Sequence, residues 1–141
     1  MERFPSSVTL SERLHVVRLA LDAYGDAADL WPLLDEDERA LALRFDQARH
    51  QRRFIASHAL TRMVLGRSLG LAPGAIRFRT QPGGKPAVAT PGADVEFTLS
   101  HSGERALVCV TRGRAVEVDI EQLRAMARSQ VDILAAGDRS S

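Results

Sequence analysis

Hydrophobic and polar positions follow a helical spacing in the middle of the chain and a strand-like spacing towards its end. From Gln47 to Leu69 apolar side chains recur every four residues, as at Ile55, Ala59 and Met63, so they share one helix face. This spacing predicts one long amphipathic helix over that range. Gly70 follows the last periodic residue and is expected to end the helix.

Shorter elements are predicted before the long helix. The acidic run at residues 35–38 suits the first turn of a helix, because a helix N-terminus carries partial positive charge. Valines and leucines from His15 to Leu21 predict a strand, and residues 22–34 are expected to form a connection. Residues 1–12 are expected to be a leader of low structural content.

The second half of the chain has the pattern of a strand meander. Short runs of β-branched and apolar residues alternate there with turns that contain glycine or proline. The order of a strand, two helices and then several strands favours an α+β fold over an alternating α/β fold. The predicted strands are Ile76–Thr80, Val95–Leu99, Ala106–Thr111 and Ala115–Ile120.

Length and composition are those of one globular domain. The chain has 141 residues, of which 45% are hydrophobic and 26% charged, and its formal net charge is +1. So balanced a charge does not favour a nucleic-acid partner. No apolar run approaches the roughly 20 residues that span a bilayer, so no membrane segment is expected. The first residues lack the basic and apolar regions of a signal peptide, so a cytoplasmic protein is expected.

The lone cysteine, Cys109, lies between valines and is interpreted as a buried small hydrophobic residue. A single cysteine forms no disulfide framework, which fits a reducing compartment. Arginine supplies the other basic side chains, and Lys85 is the only lysine. Trp31 is interpreted as a packing residue.

One predicted strand carries three carboxylates on a single face. Alternate side chains of a strand share a face, so Glu117, Asp119 and Glu121 point the same way. Three carboxylates are costly to bring together without a cation, and hard oxygen ligands suit Mg²⁺. The alternative is a solvated strand face, and the strand alone does not decide between the two.

Two further segments offer donors for an anion. Ser100, His101 and Ser102 are expected at a strand end before a glycine, where hydroxyl, imidazole and backbone groups suit an anion cradle. A polar turn without a ligand is the alternative. Lys85 and Pro86 follow two glycines in a turn that presents one ammonium group, although the spacing is not that of a P-loop.

Basic residues of the long helix have a simpler interpretation. Arg49, Arg52 and Arg53 form a cluster that is ordinarily a solvated helix face. His50 and His58 lie eight residues apart, which is not the spacing of a metal-binding pair on a helix.

Taken in order, these motifs resemble the Sfp-type 4′-phosphopantetheinyl transferases. The resemblance extends from about Leu14 to Arg124, through the first strand, the acidic helix start, the arginine-rich helix, Gly-Lys-Pro, FTLSHS and VEVDIE. It implies an α+β fold that is one half of a two-fold pseudo-symmetric architecture, with an antiparallel sheet packed against a long helix. Residues 1–114 would form the N-terminal subdomain, and residues 115–141 the first strand and truncated start of the second.

The resemblance also implies an activity. The family transfers the phosphopantetheine arm of coenzyme A to a serine of an acyl or peptidyl carrier protein, with Mg²⁺. Asp119, Glu121 and His101 match catalytic positions, and Asp119 and Glu121 match metal ligands. The expected coenzyme A-binding residues are Arg53, Lys85, Pro86, Ser100 and His101.

Three departures from the family pattern keep alternatives open. Thr98 replaces an asparagine, and Glu117 replaces a glycine beside the metal ligands, where its carboxylate would either add a ligand or crowd the site. The second-half tryptophan-x-x-lysine-glutamate-alanine motif is absent from the sequence. The chain is therefore expected to be an enzyme by family that self-assembles or needs a complementing half. The alternatives are a catalytically incompetent coenzyme A-binding fragment or pseudoenzyme, and a carrier-protein docking module.

Overall fold

A computed structural model describes residues 6–11, 14–84, 86–90, 92 and 94–112. Several predictions fall outside these residues. They are the Ala115–Ile120 strand with Glu117, Asp119 and Glu121, the side chain of Lys85, and the division of the chain at residue 114.

The described residues contain six strands and two α-helices, which confirms the α+β prediction. The helices are α1 (Glu36–Ala42) and α2 (Ala48–Leu69). The strands are β1 (Ser6–Ser11), β2 (Leu14–Ala20), β3 (Phe78–Thr80), β4 (Pro86–Val88), β5 (Val95–Ser102) and β6 (Arg105–Arg112).

Four strands form one antiparallel sheet in the order β1-β2-β6-β5, and β3 pairs with β4 as a separate hairpin. The strand β5 lies at the sheet edge, with β4 against it. In the β5–β6 register Leu99 pairs with Val108 and Ser100 with Leu107. Odd-numbered β5 residues therefore face the α2 side, and even-numbered residues face the opposite side.

The prediction of a leader of low structural content was wrong for residues 6–11, the part of that segment that the structure describes. Ser6–Ser11 is the edge strand β1, which pairs with β2 through Val8 and Val16, among other partners. The strand forms because β2 supplies hydrogen-bond partners, whereas its own sequence has little apolar content.

Two other strand assignments differ from the sequence prediction. β5 continues through Ser102, so Ser100 and His101 lie within the strand and not in a turn after it. The turn is the two-residue connection Gly103-Glu104, where Gly103 adopts φ 59°, a left-handed conformation that glycine tolerates. β4 was not predicted, because three residues that include Pro86 give too short a pattern.

The start of α1 and the end of α2 lie where the sequence predicted them. Asp35 caps α1, and its side chain accepts from the Glu38 amide at 2.8 Å while the Glu38 side chain accepts from the Asp35 amide. Gly70 ends α2 in the left-handed conformation with φ 70°. None of the helices in the described part of the chain is long and apolar enough to cross a membrane.

The hydrophobic core lies between α2 and one face of the sheet. Ile55, Ala59 and Leu60 of α2 pack there with Leu19 and Val108. Trp31 packs partly buried against this core, as predicted. Cys109 is buried on the other sheet face beside Leu107, and burial raises the pKa of its thiol to about 11. It is therefore the small hydrophobic residue that its valine neighbours indicated.

Candidate functional site

A cavity of about 690 Å³ lies at the edge of the sheet, between strand β5, the β3–β4 hairpin and the facing parts of α1 and α2. Its position follows from the topology, because among the described strands β5 has no neighbour of its own sheet on the side away from β6. The cavity has two chemically different walls and an aromatic floor.

The strand wall carries hydroxyl and imidazole groups that the sequence predicted to bind an anion. Ser100 and His101 both border the cavity, with Thr98 beside them and Pro86 of β4 opposite. Ser100 is half-buried and His101 is exposed. Adjacent strand residues face opposite sides of a sheet, yet both reach the cavity because β5 is an edge strand. The structure thus brings together three of the predicted binding residues.

The helix wall is acidic. Asp35, Asp37 and Glu38 border the cavity from the start of α1, and His58 borders it from α2. Glu38 is buried, whereas Asp37 is exposed. An anion would be repelled by the exposed carboxylates on this side, so the two walls suit different parts of a ligand.

Behind the helix wall a buried arginine holds the acidic residues in place. The Arg62 side chain is 1% exposed, and its Nε donates to Glu38 Oε1 at 2.7 Å while Nη2 donates to Asp35 Oδ2 at 2.9 Å. Its Nη1 donates to the carbonyl oxygens of Pro73 and Ile76 at 3.0 and 2.8 Å. Four hydrogen bonds thus compensate for the burial of this charge.

Glu38 is the centre of the network. Burial acts to raise the pKa of its carboxyl, but hydrogen bonds with His58 and the Asp35 amide, together with the charge of Arg62, hold that pKa below the ordinary value of 4.5. Glu38 Oε2 lies 3.0 Å from Nδ1 of His58. The carboxylate is therefore ionised at neutral pH and shared between an arginine and a histidine.

Phenylalanine rings form the floor of the cavity. Phe78 and Phe97 meet edge to face with centroids 5.7 Å apart, and both border the cavity. The Arg62 guanidinium lies 4.9 Å from the centroid of the Phe78 ring. Leu41 and Leu99 add further apolar surface, so the site suits a ligand with a flat apolar part.

Arg53 lies elsewhere. Its Nε and Nη2 atoms donate to the two carboxylate oxygens of Asp22, each at 2.9 Å, and it is not among the residues that border the cavity. The hydrogen bond from Arg53 lowers the pKa of Asp22, although burial acts in the opposite direction. This member of the basic cluster is thus an ion-pair partner and not only part of a solvated face. Its role in ligand binding stays a prediction.

Sequence reasoning missed Arg62 and the His58–Glu38 pair. One signal was available, since Arg62 lies three residues after Ala59 and three before Leu65, on the buried stripe of α2. A charge on such a stripe requires a buried partner, but the sequence does not say which residue provides it. Among the described residues no group of three potential ligand side chains is placed to hold a metal ion.

Comparisons with known proteins agree on one family. Residues 26–112 match the family described as 4′-phosphopantetheinyl transferase, N-terminal. The chain is 37% identical over 123 residues to the 4′-phosphopantetheinyl transferase HetI of Nostoc sp., which covers 85% of the chain and 52% of HetI. It is 31% identical over 91 residues to Sfp of Bacillus subtilis, covering 64% of the chain and 40% of Sfp. The chain spans about half the length of these curated relatives, or less.

A solved structure shares the fold. The holo-[acyl-carrier-protein] synthase of Helicobacter pylori, solved in complex with coenzyme A, superposes with a TM-score of 0.52. The match covers 71% of this chain and 99% of that one at 13% sequence identity. At so low an identity the likeness concerns the fold alone.

Proposed function

The chain belongs to the 4′-phosphopantetheinyl transferase family, and we propose that it binds coenzyme A and contributes to transfer of the phosphopantetheine arm to a carrier-protein serine. The observation that carries this proposal is the meeting of Ser100, His101 and Pro86 around one cavity, although they come from different strands. The family resemblance of the sequence assigns the same three residues to coenzyme A.

In this proposal the strand wall binds the 3′-phosphate of coenzyme A. The Ser100 hydroxyl and the His101 imidazole donate to phosphate oxygens, and the Lys85 ammonium, directly before Pro86 in the sequence, adds a compact positive charge. Arg53 does not border the cavity, so its proposed contact with coenzyme A would lie outside the strand wall and would use Nη1, because Nε and Nη2 bind Asp22.

Mg²⁺ is proposed at Asp119 and Glu121, with Glu117 as a third candidate ligand, which the strand predicted from the sequence would place on the same face. These carboxylates lie outside the described residues, so their fit rests on the donor chemistry alone: oxygen ligands suit Mg²⁺. When bound, the ion would neutralise charge on the pyrophosphate of coenzyme A.

The transfer itself also requires groups that the family carries in the tryptophan-x-x-lysine-glutamate-alanine motif, which is absent from this sequence. The oxygen of the carrier serine attacks the β-phosphorus of coenzyme A, and adenosine 3′,5′-bisphosphate leaves with the electron pair of the broken P–O bond. Loss of the serine proton needs a base, which the family resemblance assigns to the second half. We therefore propose that turnover, in the cytoplasm, requires assembly with a complementing half or with a second copy of the chain.

A second candidate is a coenzyme A-binding module without turnover. It is favoured by the cavity itself, because Pro86, Ser100 and His101, which the structure brings together there, are all residues that the family resemblance assigns to coenzyme A binding. Both candidates predict coenzyme A binding, and only the first predicts carrier modification after assembly.

Calorimetry with coenzyme A and with dephospho-coenzyme A tests the binding proposal. We expect coenzyme A to bind at least tenfold more tightly, because only it has the 3′-phosphate. Lys85→Ala should weaken binding and flatten its dependence on salt, since one phosphate-directed charge is removed. Equal affinity for the two ligands in the unmodified protein would contradict the assignment.

Mass spectrometry of an apo carrier protein tests turnover. The isolated chain should add little phosphopantetheine, and adding a complementing second half should restore modification. Asp119→Ala should abolish the restored activity. Failure of every combination, with coenzyme A binding retained, would support the non-catalytic candidate.

A further inference from the structure

We propose that His58 is a specificity-determining residue that accepts a hydrogen bond from the exocyclic amino group of an adenine base bound in the cavity. The inference deepens the proposed function and rests on it, because it assigns one end of the cavity to the base of the nucleotide.

Two contacts fix the His58 ring. Its Nδ1 lies 3.0 Å from Oε2 of the buried Glu38, and the Phe54 ring stacks on it with centroids 4.1 Å apart and an interplanar angle of 28°. The side chain remains 33% exposed and borders the cavity. Within the described residues no hydrogen bond to Nε2, the second ring nitrogen, is present.

Glu38 determines which nitrogen carries the proton. An ionised carboxylate can only accept, so a neutral His58 must place its hydrogen on Nδ1, which leaves the Nε2 lone pair as an acceptor. Glu38 is held ionised by Arg62, which donates to its other oxygen at 2.7 Å. The arrangement thus offers the cavity a positioned acceptor that is backed by a buried network.

The negative charge of the helix wall favours a neutral adenine base over a phosphate group beside it. Asp35, Asp37 and Glu38 border the cavity beside His58, so phosphate groups are expected at Ser100 and His101 on the other side. The phenylalanine floor and Leu41 suit the flat faces of a purine. The exocyclic amino group carries the only N–H donors of the adenine base, so it is the group that an acceptor at Nε2 would select.

The test compares adenosine 3′,5′-bisphosphate with inosine 3′,5′-bisphosphate by calorimetry at pH 8. Inosine has a carbonyl oxygen where adenosine has the amino group, so an acceptor should reject it. We expect the unmodified protein to prefer the adenosine ligand by about tenfold. His58→Phe keeps a ring against Phe54 but lacks the acceptor, so it should reduce the preference to about twofold or less.

His50→Ala, an exposed histidine of the same helix, is the matched control and should keep the tenfold preference. Where His58→Phe destabilises the fold, ¹⁵N spectra of the unmodified protein replace it. The Nε2 resonance of His58 should then shift when the adenosine ligand is added.

Three results would overturn the inference. An unchanged preference in His58→Phe would assign base selection to other groups, and a ligand-insensitive Nε2 resonance would exclude the contact. Both leave the proposed function intact if coenzyme A still binds. Absence of binding by coenzyme A and by both bisphosphates would remove the proposed function and this inference together.

Discussion

Arg62 and Glu38 form a buried ion pair across 24 residues of sequence, with 2.7 Å between Nε and Oε1. Removing the arginine leaves the buried Glu38 carboxylate with only its hydrogen bonds to His58 and the Asp35 amide, which costs about 3–5 kcal/mol. We therefore expect Arg62→Met to lower the free energy of unfolding by about that amount in chemical denaturation.

A second substitution separates the charge effect from lost packing. Adding Glu38→Gln to Arg62→Met should restore about 1–2 kcal/mol of the free energy of unfolding, because the buried negative charge that lacks its arginine is removed. Arg49→Met, at an exposed position of the same helix, should change stability by less than about 0.5 kcal/mol. If Arg49→Met and Arg62→Met lower the free energy of unfolding equally, the hydrogen bonds of Arg62 with Glu38 and Asp35 are not what stabilises the packing of α1 against α2.

The Asp22–Arg53 pair should make stability depend on pH. The folded-state pKa of Asp22 lies below its ordinary value of 3.8, so the stabilisation is fully present above that value and is lost as the pH falls through the lower folded-state pKa. Asp22→Asn should cost about 0.5–1 kcal/mol at pH 7, since the pair is only partly buried.

Denaturation at pH 7 and at about pH 3 measures this difference. The difference in free energy of unfolding between the unmodified protein and Asp22→Asn should be smaller at the lower pH. The control is Asp29→Asn, at an exposed position in the same segment of residues 22–34. Its free energy of unfolding should equal that of the unmodified protein at both pH values. If Asp22→Asn lowers the free energy of unfolding by the same amount at both pH values, the ion pair is not the cause of the loss.

Gly66 is expected to resist substitution despite its helical position. Alanine is a better helix former than glycine by about 1 kcal/mol, but a Cβ at residue 66 would lie 2.5 Å from the backbone oxygen of Leu71. Gly66→Ala should therefore lower the free energy of unfolding by about 1–3 kcal/mol. Gly74→Ala, where a Cβ would meet nothing within 4 Å, should be neutral or slightly stabilising.

Glu117→Gly distinguishes the two proposed roles of Glu117. If residues 115–120 form the strand that the sequence predicts, a glutamate two residues from Asp119 projects beside that ligand, whereas Mg²⁺ requires near-octahedral placement of its ligands. We therefore expect Glu117 to repel the pyrophosphate, so that the glycine variant binds coenzyme A more tightly in the presence of Mg²⁺. Titrations of both proteins with and without Mg²⁺ measure this, and weaker Mg²⁺-dependent binding in the variant would identify Glu117 as a ligand.

The sequence was sufficient for elements whose cause is local. The four-residue spacing of Ile55 and Ala59 predicted α2, and Gly70 ended it in the left-handed conformation. Asp35 and Glu38 lie three residues apart, so the acidic start of α1 could be identified without knowing the rest of the fold. The family motifs likewise could be recognised from their order alone.

Only the tertiary structure decided the elements that depend on distant partners. β1 has a weak strand sequence and forms because β2 pairs with it, and Arg53 meets Asp22 over 31 residues. No local pattern shows which of the chain's carboxylates Arg62 will bind, because helix periodicity gives the direction of a side chain but not the element that packs against it. The cavity wall that contains Glu38 and His58, with Arg62 buried behind it, is therefore decided only by the packing of α1 against α2.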